Sequence, residues 1–565
     1  MKFLCVLGVL CGLSVHAIAL DRNAFTFIKY HLTATVDPDQ QRLGVRGRIT
    51  LRNDSSVPQK NLSLQISSTL DWKSVQLKGK PIEFLTHGYT SDIDHTGELS
   101  EAIVTLPREV QPKEIIELDI GYEGTIPLDT TRLTRIGVPD AAARRTDWDQ
   151  ISPALTAVRG IGHVTWYPVA TDAASLSEGN SVEETIERWK QRNADSEMSV
   201  FFESNAGGTI LASGTPAMFP EESVGNDAPK AVANVDMLHM GTDVPAFVIA
   251  DYRKVTENPS SARTLLNHVY YLQGKQDAAA ELNRQIASLS DFVGSFSRGG
   301  AGIQVVENPV SGAAPFTSGP LLIMPFGSLS ADETKLTLIY ALTNAKLHFR
   351  PAWAQQGLAH YAQAAYLEQQ RGRQSALDYL NAHETELVQS EKTPHDGNSL
   401  LNGMDGIYFQ SKAMRVWWML RDMLGTNVNI TLLLNDYKFS EDQSANYVQK
   451  LIEAKTHRDL QWFFDDWVYH DRGLPDFRVT SVFPSTLPSG GYLVTVTVEN
   501  LGAAGAEVPI TLQIAGGTAT QRLKVLGKSK NSIRFEVPAT PQQVTVNDGS
   551  VPESDTSNNT FAVNK

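Results

Sequence analysis

His348 and His360 are the first residues whose type and spacing suggest chemistry, because Asn344 and Gln356 precede them by one helical turn each. Two imidazoles and a water could hold a metal in such a frame. The plainer reading, preferred on sequence alone, makes both histidines partly exposed polar side chains. His383-Glu384 begins like the zinc motif H-E-x-x-H, yet position 387 is Leu and the second imidazole is missing. Asp465-Asp466 could act as an acid–base pair, but Phe463, Phe464 and Trp467 around them favour capping or solvating a helix. Asp548, Glu553 and Asp555 offer the hard oxygen ligands that calcium takes. Against calcium stands a solvated turn rich in Asp, Asn and Ser. Trp417-Trp418 and Trp166-Tyr167-Pro168 read as core or cleft wall before ligand platform, since aromatic rings bury large areas.

Hydrophobic periodicity supplies the elements that must position these groups. Residues 20–255 read mainly as strands. Tyr30, Leu32, Ala34 and Val36 alternate with polar or small residues, as do Leu62, Leu64 and Ile66, and Ile116, Leu118, Ile120 and Tyr122. Asn205-Ala-Gly-Gly208 is expected to join the strands around 198–202 and 210–211 in a hairpin-like turn. A short helix is expected near 183–191. From 256 to 476 the period becomes helical. One helix begins at Ser330, where Ser330-Ala-Asp-Glu333 fits a capping box, and is expected to end near His348. A second runs from Ala352 to Arg371 and stops at Gly372. A third carries Ala413, Val416, Trp417, Leu420 and Leu424 up to Gly425, and a last one includes Leu460, Phe463, Phe464 and Trp467. After Gly473-Leu-Pro475 short alternating runs return. The expected fold class is therefore multi-domain α+β: an N-terminal antiparallel β-domain (20–255), a central mainly helical domain (256–476) and a C-terminal Ig-like β-sandwich (477–565).

The first nineteen residues read as a secretory signal peptide. Lys2 gives a positive start, an apolar run follows at 3–15, and Ala17 and Ala19 supply small residues before Leu20. Cys5 and Cys11 both lie inside this signal, so the mature chain is expected to hold no disulfide, thiolate zinc site or cysteine nucleophile. Net charge is −14 without a basic cluster, which disfavours nucleic acid as a partner. No other apolar stretch approaches the ~18 residues of a membrane span. An exported protein, periplasmic or extracellular and not integral to a membrane, is the expectation.

Several motifs carry a family resemblance. Trp353-Ala-Gln-Gln-Gly-Leu-Ala-His-Tyr361 resembles the W-x-x-E-G-x-A-x-Y helix of aminopeptidase-N-type zinc metallopeptidases, the gluzincins. Lys412 to Gly425 resembles their K-G-a-x-v-x-x-m-L-x-x-x-l-G helix. Asp459-Leu460 through Trp467, with Gly473-Leu-Pro-Asp-Phe477 after it, is similar to the end of their catalytic domain, and Tyr30 to Asn53 to their first strands. The tail from Val546 to Asn559 resembles the close of bacterial adhesion-type β-sandwich modules.

The resemblance implies zinc, bound by H-E-x-x-H and a glutamate on the next helix, with the intervening glutamate as general base. In those places stand Tyr340, Ala341 and Asn344, then Gln356 for the third ligand. An amide is a poor zinc ligand and alanine moves no proton. The expected G-x-M-E-N strand is represented by Gly312-Ala-Ala-Pro-Phe316 and Gly319 to Met324, without a glutamate. The oxyanion tyrosine register holds Gln410, with Tyr408 two residues earlier. No cofactor is therefore expected. The leading functional reading is an exported peptidase-like protein that has lost zinc and catalysis and binds peptides or an exported protein. The alternative is an active zinc-dependent aminopeptidase-like hydrolase with unconventional ligands, and a third reading gives the function to the C-terminal module alone.

Overall fold

A computed structural model describes residues 20–179, 181–216, 231–241, 243–255, 267–296, 302–391, 399–402, 408–425 and 428–563. The signal read at residues 1–19 lies outside the described residues. No described helix is long and apolar enough to cross a membrane.

Alternation in the first strands places Tyr30, Leu32, Ala34 and Val36 in the core at 0–2% exposure. The strand that carries them, Phe25–Asp37, lies inside an eight-stranded sheet. The order is Thr215–Pro216, Ala231–Met237, Glu197–Ser204, Phe25–Asp37, Arg42–Asn53, Ile115–Thr125, Leu70–Leu77 and Lys80–Pro81. One pairing breaks the antiparallel pattern, because Phe25–Asp37 runs parallel to Glu197–Ser204, with Tyr30 beside Met198. A second sheet, Gln59–Ser67, Glu98–Val110 and Phe84–Thr90, shares the same core. Trp166 and Tyr167 are fully buried there, and the Trp166 indole donates to Pro245 O at 2.8 Å.

Residues 205–208 do not close the expected hairpin. Gly207 and Gly208 both take positive φ, 82° and 88°, and send the chain into another sheet, where Thr209–Ala212 pairs with Phe247–Ala250.

The stretch after residue 252 also departs from a helical reading. Five short strands form a mixed sheet in the order Arg253–Lys254, His268–Tyr271, Gln304–Glu307, Leu321–Met324 and Phe316–Ser318, with the middle three parallel. The helix Gln276–Gly294 packs on it through Leu282, Ile286, Leu289 and Val293. The helical region proper then begins at Ala331–Asn344. Ser330 Oγ accepts from Glu333 N at 3.2 Å and Ser330 N donates to Glu333 Oε2 at 2.8 Å, a complete capping box.

Ala352–Arg371 follows and stops at Gly372, whose φ is 86°. Gly357 lets this helix approach the π-helical stretch Tyr408–Ala413; a Cβ there would sit 2.6 Å from that of Ala413. Tyr408–Ala413 leads into Met414–Leu424, and Trp353 stacks on Trp417 at 5.4 Å. Trp417 and Trp418 are wholly buried core residues.

The last ninety residues form sheets of three and four strands: Phe477–Thr486, Tyr492–Asn500 and Lys530–Val537, and Gly517–Val525, Ala506–Ile514, Pro541–Val546 and Thr560–Ala562. Their buried residues, Val494, Val496, Ile510 and Leu512 among them, join the apolar core of the helical region. Trp467 donates to Gly505 O at 2.7 Å and Gly505 N donates to Asp466 at 2.9 Å. Asp465 accepts instead from Gln461 within its own helix. The two aspartates thus hold two different structural bonds.

Candidate functional site

The helices Ala331–Asn344 and Ala352–Arg371 carry the positions where the zinc peptidase pattern would place its chemistry. Tyr340 lies one turn before the end of the first helix. Its ring meets the ring of His360, on the second, at 4.5 Å with a 32° tilt. His360 Nδ1 is 2.9 Å from Gln363 Oε1. That oxygen also accepts from the Tyr379 hydroxyl at 2.9 Å, while Gln363 Nε2 donates to Leu336 O at 3.0 Å. Because the amide nitrogen is engaged with a carbonyl, the oxygen must be the acceptor, and His360 carries its proton on Nδ1. Burial pushes this imidazole down to about 4, so it is neutral at physiological pH.

Asn344 is held by a neighbour that the motif comparison passes over. Gln355, 4% exposed, donates through Nε2 to Asn344 O, Asn344 Oδ1 and Leu347 O, each at 2.9 Å, and accepts from Phe349 N through Oε1 at 2.9 Å. One amide therefore satisfies the carbonyls at a helix C-terminus that would otherwise be orphaned. Ala341 is wholly buried, and Gln356 is half-buried on the turn beside Gln355. His348 does not lie on the helix as expected. The helix ends at Asn344, and His348 is exposed in the segment before Pro351.

The N-terminal region contributes a second set of groups with no sequence signal. From the helix Ser181–Arg192, Lys190 Nζ binds Glu187 Oε1 at 2.6 Å. Burial raises the Tyr340 hydroxyl to about 12, and the Glu187 carboxylate adds to the shift. Asp243, whose carboxylate accepts from the Gly319 amide, is pushed up to about 6 by burial, with that bond and Lys190 opposing. Arg350 and Asp195 close the seam with an ion pair at 2.6 Å. Beside it a cavity of about 270 Å³ remains between Gln191, Ala194, Arg350, Trp353, Leu401 and Gln443. That is at or below the lower end of the ~300–1,000 Å³ of ordinary ligand pockets.

Tyr408 is buried, with its ring 5.7 Å from Lys412 Nζ. Lys412, at 0% exposure, binds Glu391 at 2.7 Å and Asp471 at 3.1 Å. Burial pushes Glu391 up to about 7, with Lys412 opposing and Asp471 reinforcing the shift.

The three acidic tail residues do not converge on a cation. Asp548 accepts from Arg373 Nε at 2.9 Å, Asp555 accepts from Ser557 N at 2.8 Å, and Glu553 accepts from Phe477 N, Asn547 and Asn559. Each of the three carboxylates already accepts from a protein donor. Glu384 of the His383-Glu384 pair binds Arg415 at 2.7 Å, and Arg415 also donates to Gly549 O at 2.5 Å. This pair therefore docks the tail onto the helices.

Among the described residues no group of three or more His, Cys, Asp or Glu could hold a metal ion. The residues that the motif resemblance places at a zinc position do not fit that metal. A phenol ring packed on an imidazole and an amide fixed by another amide leave no convergent anionic or imidazole donors.

No protein-family model matches the chain, and no curated protein matches it. Solved structures do. The aminopeptidase A of Legionella pneumophila, in complex with aspartic acid, is similar at a TM-score of 0.59 and 12% identity, over 94% of this chain and 59% of that one. An M1 zinc metallopeptidase variant from Deinococcus radiodurans, bound to a Tyr-Ser-Ala substrate, is similar at a TM-score of 0.50 and 15% identity, over 80% of this chain and 96% of that one. At these identities the likeness is one of fold, and the fold of this chain is M1-type peptidase.

Proposed function

We propose that the chain is an exported peptidase-fold protein, periplasmic or extracellular, that has lost zinc and catalysis and serves as a scaffold for a peptide or an exported protein. The observation that carries this reading is the filling of the catalytic position: Tyr340 packs on His360 while Asn344 is tied to Gln355. Packing residues of the peptidase helix, Trp353, Gly357, Ala359 and Tyr361, keep their structural work, whereas Tyr340 and Asn344, at two of the ligand positions, are engaged by His360 and Gln355. The cavity of about 270 Å³ near Trp353 suits a side chain or chain terminus of a partner better than an extended substrate.

Elemental mass spectrometry on residues 20–565, purified without chelator or metal-affinity tag, tests the proposal together with a peptide-hydrolysis assay. Well under one zinc per chain and no hydrolysis is the expected result. Stoichiometric zinc with hydrolysis would instead establish an active hydrolase with unconventional ligands, and His348 and His360 would be the first residues to replace.

A further inference from the structure

The N-terminal domain contains a larger opening, far in sequence from the peptidase helices, that its strand pairing leaves between two sheets. The ladder between Gln59–Ser67 and Glu98–Val110 runs regularly to Asn61 beside Thr105, and resumes only at Gln59 beside Val110. Four residues, Leu106 to Glu109, thus face one residue of the partner strand. Pro107 has no N–H to return to the ladder. On the opposite sheet, Leu70–Leu77 pairs with Ile115–Thr125 only from Asp119 to Gly124, and Lys80–Pro81 adds just two residues beyond it. Both sheets therefore part at the same end.

The resulting cavity has a volume of about 650 Å³, within the range of ligand sites. Leu77, Ile82, Leu106, Val110 and Ile116 line its apolar wall. Leu106 and Val110, each 2% exposed, form its covered floor, while Ile115 at the mouth is 53% exposed. Charges ring the opening. Arg48 is shared by Asp119 at 3.2 Å and Glu117 at 3.9 Å, and Arg108 binds Glu114 at 3.0 Å. Lys78 and Lys80 are exposed at the rim, Lys78 within electrostatic reach of the Glu114 carboxylate. Positive φ at Lys78 and Gly79, 54° and 73°, makes their connection a tight hairpin that holds both lysines at the rim.

An apolar slot ending at two lysines is complementary to an alkyl chain ending in an anion. We propose that this cavity binds one free single-chain amphiphile with an anionic head group, its chain between the sheets and its head at Lys78 and Lys80. The site is independent of the peptidase cleft and of the function proposed there.

Titrating residues 20–565 with cis-parinaric acid, then displacing it with palmitate or with hexadecanol, tests the assignment. Saturation at one site per chain and displacement by palmitate are expected. Lys78→Glu with Lys80→Glu should weaken palmitate at least about tenfold and leave hexadecanol unchanged. Both changes lie on an exposed hairpin, so an unaltered thermal transition will show that the fold is intact. Leu106→Trp should fill the slot and remove both ligands. Absence of saturable binding, equal palmitate affinity after charge reversal, or binding only to anionic phospholipid vesicles would each overturn the proposal.

Discussion

The rings of Tyr340 and His360 lie 4.5 Å apart across two successive helices, joined through Gln363 to the backbone of the first helix at Leu336. This contact makes the junction of the two helices a packing seam. Removing the ring by Tyr340→Ala is expected to cost about 2–4 kcal/mol, because the partners can only partly collapse into the space. Tyr340→Phe keeps the ring and should cost under about 1 kcal/mol. Urea unfolding of both variants checks the difference.

A second prediction separates two neighbouring amides. Gln355→Ala leaves Phe349 N and several carbonyls near the end of the helix without their partner, and should cost about 2–4 kcal/mol. Asn344→Ala removes one of four bonds and should cost about 1 kcal/mol. If the two variants unfold at the same urea concentration, the tie between the helices is not what stabilises this turn.

Two buried groups tilt stability with pH in opposite directions. His360 is held at about 4 when folded against an ordinary 6.5, so the unfolded chain binds more protons between these values. Its contribution is fully present above pH 6.5 and is lost as pH falls through about 4. His360→Phe, which keeps a ring against Tyr340, should flatten that acid limb in a series of thermal transitions.

Glu391 behaves in the reverse sense. Its folded value near 7 lies above the ordinary 4.5, so its contribution is full below pH 4.5 and is lost as pH rises through about 7. Glu391→Gln should flatten the thermal profile over that window. Lys412→Met, which leaves two buried carboxyls without their cation, should destabilise the protein by about 3–5 kcal/mol at neutral pH.

The C-terminal module is joined to the helices by Arg415, Arg373 and Glu384, and by an apolar core shared with the helical region. A chain ending at residue 476 would expose Trp467 and the residues around it. Such a chain should be recovered mainly as aggregate, and a soluble monomer with an unchanged circular dichroism spectrum would refute the structural coupling.

Much of the architecture could be read from the sequence where periodicity and termini coincide. The capping box at Ser330, the stop at Gly372 and the alternating first strands are local signals with local causes. The sheet between 253 and 324 was hidden because its strands have two to four residues, and Leu321–Met324 is buried on both faces without alternation. Tyr340, Ala341, Asn344 and Gln356 could be picked out through the motif around Trp353, but the groups that engage this region could not. Gln355 differs from Gln356 only in direction, by the rotation of about 100° between consecutive helical residues. Glu187, Lys190 and Asp243 come from segments more than ninety residues earlier, and no spacing rule connects them to Tyr340.

The parallel pairing of Phe25–Asp37 with Glu197–Ser204 also sets an order in time. The first strand can find Arg42–Asn53 at once, across a short turn, but its other edge must wait until some 160 further residues have been made. Non-local pairing of this kind is slow, since loop closure precedes any return in contacts. Until then the strand presents an open hydrogen-bonding edge. For the nascent chain, the interval between these two events is the period of greatest exposure to mispairing.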